Sequence, residues 1–234
     1  GAALRTQTQG VTDDEILVVV LASDLDGLRA RGFNLAPKLT IENLMKRWRG
    51  LSEKVGPING RRLVFEPVVW DPLDTTTFDR ACTEAVLDKK PFLVVNGSGY
   101  RASSIACITA ENDTPMFAGD PVYGELQEAS GKNLVSLGVP SEASGEVAAD
   151  VARKTGLVPR GAKIGILSGN EPAIKASGDA LEARLRKHGY DVVEKVEVNT
   201  LAGDPSASAR EASTAVSTFK SAGVDTVFTT LQFT

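Results

Sequence analysis

Gly156-Leu-Val-Pro-Arg-Gly161, followed by Ala162-Lys-Ile-Gly-Ile-Leu-Ser168, is the stretch on which the fold turns. Glycine and proline interrupt a helical pattern at 156–161. A buried-strand run then restarts the alternation of apolar strand and amphipathic helix that fills the preceding residues. Two successive parallel α/β units make two lobes, and a cleft between lobes is where a small molecule sits. The expected organisation is a polar N-terminal segment over 1–14, lobe one over 15–158 and the start of lobe two over 159–234.

Upstream of the restart, Glu15–Leu21 is a near-continuous apolar run, as a strand covered on both faces requires. A Gly-punctuated loop, Ala22–Asn34, leads to a helix over Pro37–Val55, where Ile41, Leu44, Met45, Trp48, Leu51 and Val55 share one face. It ends at Gly56-Pro-Ile-Asn-Gly60, where Asn-Gly supplies a tight turn. Strand Arg62–Trp70 contains Pro67, which cannot donate to a ladder and so predicts an edge position or a bulge. Helices Asp74–Asp88 and Arg101–Glu111 flank strand Pro91–Val95. Short strands follow at Pro115–Ala118 and Leu134–Leu137, and a helix over Ser141–Thr155, with Ser141 as N-cap, closes lobe one.

Beyond 161 the pattern reads strand Lys163–Leu167, helix Pro172–His188, strand Val192–Val198, helix Ser206–Ala222 and strand Asp225–Thr229. The fold class is therefore α/β, two Rossmann-like lobes with mostly parallel sheets and right-handed crossovers. Ligands of such sheets lie beyond the carboxyl ends of the strands, which nominates the loops starting near Ala22, Asn96, Ala118, Ser168 and Thr229.

The net charge of −4 comes without a block of basic residues, which argues against nucleic acid as a partner. Lys46-Arg47-Trp48-Arg49 reads as one helical turn with Trp48 facing the core. No apolar run approaches the roughly 20 residues of a membrane-spanning helix. The polar start Gly1–Gly10 looks like a processed or engineered end. Cys82 and Cys107 are the two cysteines. They fall on helices flanking the third strand, where a disulfide would fit an oxidising compartment and two separate buried thiols are the alternative. Two cysteines and one histidine are too few for a metal site. His188 lies at a helix C-terminus, where positive charge is favoured.

No nucleophile elbow, Walker loop or zinc-protease motif occurs, so a non-enzyme without cofactor is expected. One pattern favours the contrary. Gly97-Ser-Gly99-Tyr-Arg-Ala102 matches Gly-x-Gly-x-x-Ala, and Asp120 lies about twenty residues on, as in a dinucleotide-binding oxidoreductase.

Four segments carry a family likeness: Gly10-Val-Thr-Asp-Asp-Glu-Ile16, Gly56-Pro-Ile-Asn-Gly-Arg-Arg-Leu63, Gly161-Ala-Lys-Ile-Gly-Ile-Leu167 and Gly223-Val-Asp-Thr-Val-Phe228. In order and spacing they resemble the type I periplasmic binding proteins, in the leucine/isoleucine/valine-type branch serving ATP-binding-cassette importers. Members continue past the position of Thr234, so the resemblance implies a truncated second lobe. It also implies an extracytoplasmic, monomeric solute-binding protein. Such a protein closes on an amino-acid-like ligand by hinge motion and presents the closed form to a membrane permease. A receptor ectodomain of the same architecture is the further alternative.

The first-lobe positions matching the family's ligand loops are Ser98, Gly99 and Tyr100 after the third strand and Ala118, Gly119 and Asp120 after the fourth. Glycine amides suit a carboxylate, and Asp120 suits an ammonium group. Ser23 and Asp24 are candidates from the first loop. Asn170, Glu171, Thr230 and Gln232 are the candidates from lobe two.

Overall fold

The structure, a computed structural model, describes residues 9–74, 76–96, 102–199 and 205–231. It divides into two compact units, Gly1–Asp120 with Leu126–Gly138, and Pro121–Glu125 with Val139–Thr234.

The first unit carries β1 (Glu15–Ser23), α1 (Leu25–Ala30), α2 (Ile41–Val55), β2 (Arg62–Trp70), α3 (Thr76–Thr83), β3 (Leu93–Asn96), α4 (Ala102–Ala106), β4 (Met116–Ala118), most of α5 (Gly124–Ser130) and β5 (Leu134–Ser136). The sheet is parallel throughout, in the order β2-β1-β3-β4-β5. Pro67 sits on β2, an edge strand, where its missing N–H leaves no gap in a central ladder. One face of the sheet is closed. Val19, Leu21, Val68, Trp70, Val94, Met116, Ala118 and Leu134 are buried on it, with Trp70 against Phe78 of α3 at 4.7 Å between ring centroids. On the opposite face α2 covers β2, with Trp48 on Phe65 at 5.1 Å, while Phe117 and Leu137 stay exposed.

Several local features depart from the sequence reading. The expected loop Ala22–Asn34 contains the short helix α1, and α2 starts at Ile41 behind its N-cap Thr40 rather than at Pro37. The helices expected over Asp74–Asp88 and Arg101–Glu111 each change pitch. Each begins as an α-helix and ends as a π-helical turn, Glu84–Asp88 and Cys107–Glu111. A disulfide joins Cys82, on α3, to Cys107, at the start of the second π turn. The Asn59-Gly60 turn forms as expected. Both residues have positive φ, and Ile58 and Arg61 close it with paired backbone bonds of 2.8 and 3.1 Å.

The second unit contains α6 (Ser141–Thr155), β6 (Lys163–Gly169), α7 (Pro172–Lys187), β7 (Asp191–Val198), α8 (Pro205–Ala222) and β8 (Thr226–Thr230). Its sheet is parallel, with β6 between β7 and β8. Its core gathers Ala149 and Ala152 of α6 with Val158, Ala162, Ile164, Ile166, Leu181, Leu185 and Val192. The expected boundary between 158 and 159 is thus displaced to Gly138/Val139, because the small buried face of α6 packs on α7. Segment Pro121–Glu125 joins the same unit by its bonds to the start of α6. Ser141 N donates to Val122 O at 3.0 Å, and Gly124 N donates to Glu142 Oε1 at 2.8 Å. Ser141 is not the N-cap of α6. Pro140 holds that position, and Ser141 is buried one residue inside the helix.

An ionic clamp crosses from α6 to α7. Arg184 holds both carboxylate oxygens of Asp150 (Nε–Oδ1 2.7 Å, Nη2–Oδ2 2.8 Å), and the imidazole of His188 meets the same carboxylate through Nε2. Arg153 Nη1 approaches Nδ1 of His188 at 2.9 Å. A guanidinium can only donate, so Nδ1 accepts and the proton resides on Nε2, directed at Asp150. His188 therefore closes α7 as expected, and it also clamps the helix pair. Arg184, and then His188, hold the Asp150 carboxyl well below the ordinary carboxylate range. A depressed folded-state value means that this stabilisation is present above the unfolded-state value and disappears as pH falls through the folded one. Asp150→Asn should therefore melt below wild type at neutral pH, and the gap should close in strong acid. A pH series of calorimetric scans in which the gap stays constant would refute the clamp.

Candidate functional site

The carboxyl edge of each sheet contains a point where strand order reverses, between β1 and β3 in the first unit and between β6 and β8 in the second. Chains leaving neighbouring strands at such a point diverge to opposite faces and leave a crevice there. The described candidates fall at these edges.

In the first unit the loop after β1 is fixed at both ends. Asp24 N donates to Trp70 O at 2.8 Å, and Asp24 Oδ1 caps α1 by accepting from Gly27 N at 2.8 Å. At the far end of α1, Arg31 grips Asp71 with two bonds of 2.7 Å and holds its carboxyl below the usual range. Asp24 thus has a structural task, capping a helix. Ser23, at the end of β1, is half-buried.

At the end of β4 the three candidates separate. Ala118 is fully buried in the sheet, and its carbonyl accepts from Leu137 N. Gly119 is exposed, but its amide donates to Asn96 O at 3.1 Å, so it is not free for a carboxylate in the way the sequence suggests. Asp120 remains. It is half-exposed, its backbone oxygen accepts from Ser136 Oγ at 3.0 Å, and its Oδ2 accepts from Asn96 Nδ2 at 2.9 Å. Asn96 is itself buried, and among the described residues its Oδ1 has no hydrogen-bond partner. It is a further candidate, which the sequence names only as the start of a loop. Ser98, Gly99, Tyr100 and Gln232 lie outside the described residues, as does the glycine pair of Gly97-x-Gly99-x-x-Ala102.

In the second unit Asn170 is exposed, and its amide donates to Val198 O at 3.0 Å. Thr230 does not offer its hydroxyl outward. Its Oγ1 donates to Ser168 Oγ at 3.0 Å and ties β8 to β6. Ser168 is fully buried, and Gly178 of α7 lies against it so closely that an added Cβ would sit 2.6 Å from its hydroxyl. Glu171 is 8% exposed and is the N-cap of α7, with Oε2 accepting from Ala173 N at 2.9 Å. Its Oε1 is buried without a partner among the described residues. Among the described residues no group of three or more His, Cys, Asp or Glu side chains could hold a metal ion.

This arrangement suits recognition, with acceptors held in fixed geometry at two switch points. A family model described as periplasmic binding protein matches residues 51–234. The chain belongs to the periplasmic binding protein family. No curated protein matches it in sequence. Among solved structures this periplasmic binding protein is similar to a solute-binding protein of an ABC transporter from R. palustris in complex with 4-hydroxybenzoate. The identity is 19%, with 93% of this chain and 54% of that one covered and a TM-score of 0.64. A periplasmic binding protein from Burkholderia mallei aligns at 16% identity, covering 94% and 54%, with a TM-score of 0.69. A leucine-binding protein from Thermotoga maritima aligns at 16% identity, covering 92% and 55%, with a TM-score of 0.59. The chain spans about half the length of these structures. The family consists of binding proteins, so the glycine pattern at 97–102 is not read as a dinucleotide fingerprint. That pattern also follows the third strand of its sheet, whereas a fingerprint follows the first.

Proposed function

We propose that this periplasmic binding protein is the extracytoplasmic solute-binding component of an ABC-type importer, in the leucine/isoleucine/valine-type branch. It takes a small solute bearing an ammonium group, such as an amino acid, and delivers it to a membrane permease. The observation that carries the reading is Asp120. Asn96 holds one oxygen of this carboxylate and Ser136 holds the backbone oxygen of the same residue, which leaves Asp120 half-exposed at the carboxyl edge of the sheet. An oriented carboxylate accepts a charge-assisted bond from an ammonium group without first being ordered. The disulfide fits an oxidising compartment. Among the described residues no helix is long and apolar enough to cross a membrane. Solute binding favours closure through contacts that exist only in the closed form.

Asp120→Asn preserves the shape and removes the charge. A hydrogen bond to a charged group contributes about 1.5–3 kcal/mol, so affinity for the best-bound amino acid should fall roughly ten- to a hundredfold. Calorimetric titration of wild type and variant reads this directly. Equal affinities in a variant that melts like wild type would remove Asp120 from the site.

A further inference from the structure

We propose that Arg160–Gly161 is a processing bond, cut by an arginine-specific serine protease of the trypsin class. Such a protease needs an arginine side chain for its anionic primary pocket and an extended backbone leading into it. The segment Leu157-Val-Pro-Arg-Gly161, between α6 and β6, supplies both. Arg160 is exposed, and no carboxylate holds it among the described residues. Leu157 is 73% exposed and offers an apolar contact three residues earlier. Proline fixes its own φ and keeps the preceding residue extended, so Val158 and Pro159 favour the conformation that a protease cleft imposes. In an antiparallel pairing alternate residues bond the partner strand. Val158 and Arg160 then make those bonds, and Pro159 falls between them, where its missing N–H is not needed.

In the folded protein the bond sits at the crest of a turn. Ala162 N donates to Pro159 O at 3.2 Å, and Gly161 has a φ of +82° between them. The segment is fastened by that bond, by Leu157 N on Ala152 O at 3.2 Å, and by the side chain of Val158, which is buried in the core of the second unit. A local opening that withdraws Val158 delivers the bond to a cleft while β6 stays paired. The other described arginines are less available. All but Arg31 and Arg61 lie within helices or strands, Asp71 grips Arg31, and Thr12 O accepts from Arg61 Nε at 2.6 Å. In the cut itself the protease serine attacks the Arg160 carbonyl, the Gly161 nitrogen leaves with a proton, and water releases the acyl group. The products are a carboxylate on Arg160 and an ammonium group on Gly161. They stay joined through the packing of α6 on α7 and the Asp150–Arg184 pair.

The test incubates the native protein with thrombin, an arginine-directed protease of the trypsin class, and follows the products by intact-mass spectrometry. The first products should be residues 1–160 and 161–234, and the two should elute together on a sizing column without denaturant. Arg160→Gln should survive uncut at this bond. Val158→Ala weakens the fastening and leaves the arginine in place, so it should be cut about fivefold faster, because the rate follows the population of the open form. A synthetic peptide of residues 154–165 serves as the unfolded control. Cleavage of the peptide while the native protein stays whole would mean that the turn does not open, and would overturn the proposal. A peptide left uncut, or a native protein cut first at another arginine, would overturn it as well. Each of these outcomes leaves the solute-binding reading untouched.

Discussion

Reducing the Cys82–Cys107 disulfide, or replacing both cysteines with serine, destabilises the first unit by about 3.5 kcal/mol. The bridge closes a loop of 25 residues. Loop-closure entropy for that length, withheld from the unfolded chain, gives this magnitude near room temperature. The native side supports a large effect. Cys82 is fully buried beside Ala81 and Ala85, and the bond ties α3 to the π turn after α4 across the closed face of the sheet. Differential scanning calorimetry with and without a reductant should show the melting transition of the first unit moving down, and that of the second unit unmoved. A shift equivalent to less than about 1 kcal/mol would mean that the unfolded chain is already compact across this loop.

The cysteine pairing and the edge position of β2 were each one of two outcomes that the sequence left open. Cysteines on two helices flanking one strand can pair or stay as separate buried thiols, and a proline inside a strand takes an edge position or a bulge. The two sheets followed from periodicity alone, since near-continuous apolar runs such as Leu17–Leu21 and Ile164–Leu167 bury both faces. Elements that depend on partner choice were not legible. The apolar face of α6 consists of Gly145, Ala149 and Ala152, and this stripe would suit either a sheet or a helix. Only the structure shows that it meets α7, which moves the unit boundary by twenty residues from 158 to 138. The π turns at Glu84–Asp88 and Cys107–Glu111 escape a periodicity reading, because one residue of extra pitch barely disturbs a short apolar pattern.

The candidate site divides along the same line. Strand ends could be found from the pattern, so the loops that follow them were nominated. What each polar group does there is a matter of hydrogen-bond accounting that composition does not encode. The amide of Gly119 and the hydroxyl of Thr230 are both taken by neighbouring strands. Conversely, the unpaired oxygens of Asn96 and Glu171 emerge only when burial and partners are known together.

Gly145→Val should strongly destabilise the second unit, while Gly50→Ala should stabilise the first. Both glycines lie within helices, where alanine is favoured over glycine by about 1 kcal/mol. Their surroundings decide the sign. A Cβ at Gly50 on α2 meets nothing within 4 Å, so the gain in propensity and the loss of unfolded-chain freedom add to roughly 0.5–1 kcal/mol of stability. A Cβ at Gly145 would stand 2.1 Å from the carbonyl oxygen of Ser177 and 2.8 Å from the amide of Leu181, both backbone atoms of α7 that cannot swing aside. The two helices must separate. Separation strips burial from Ala149, Ala152, Leu181 and Leu185 and pulls Asp150 away from Arg184 and His188. Overpacking of this kind costs about 3 kcal/mol, and a domain of this size then melts about 10 °C lower or more. If instead the Gly145→Val protein melts within about 2 °C of wild type, α6 does not lie against α7 at this position. The second unit would then need a different account of its boundary.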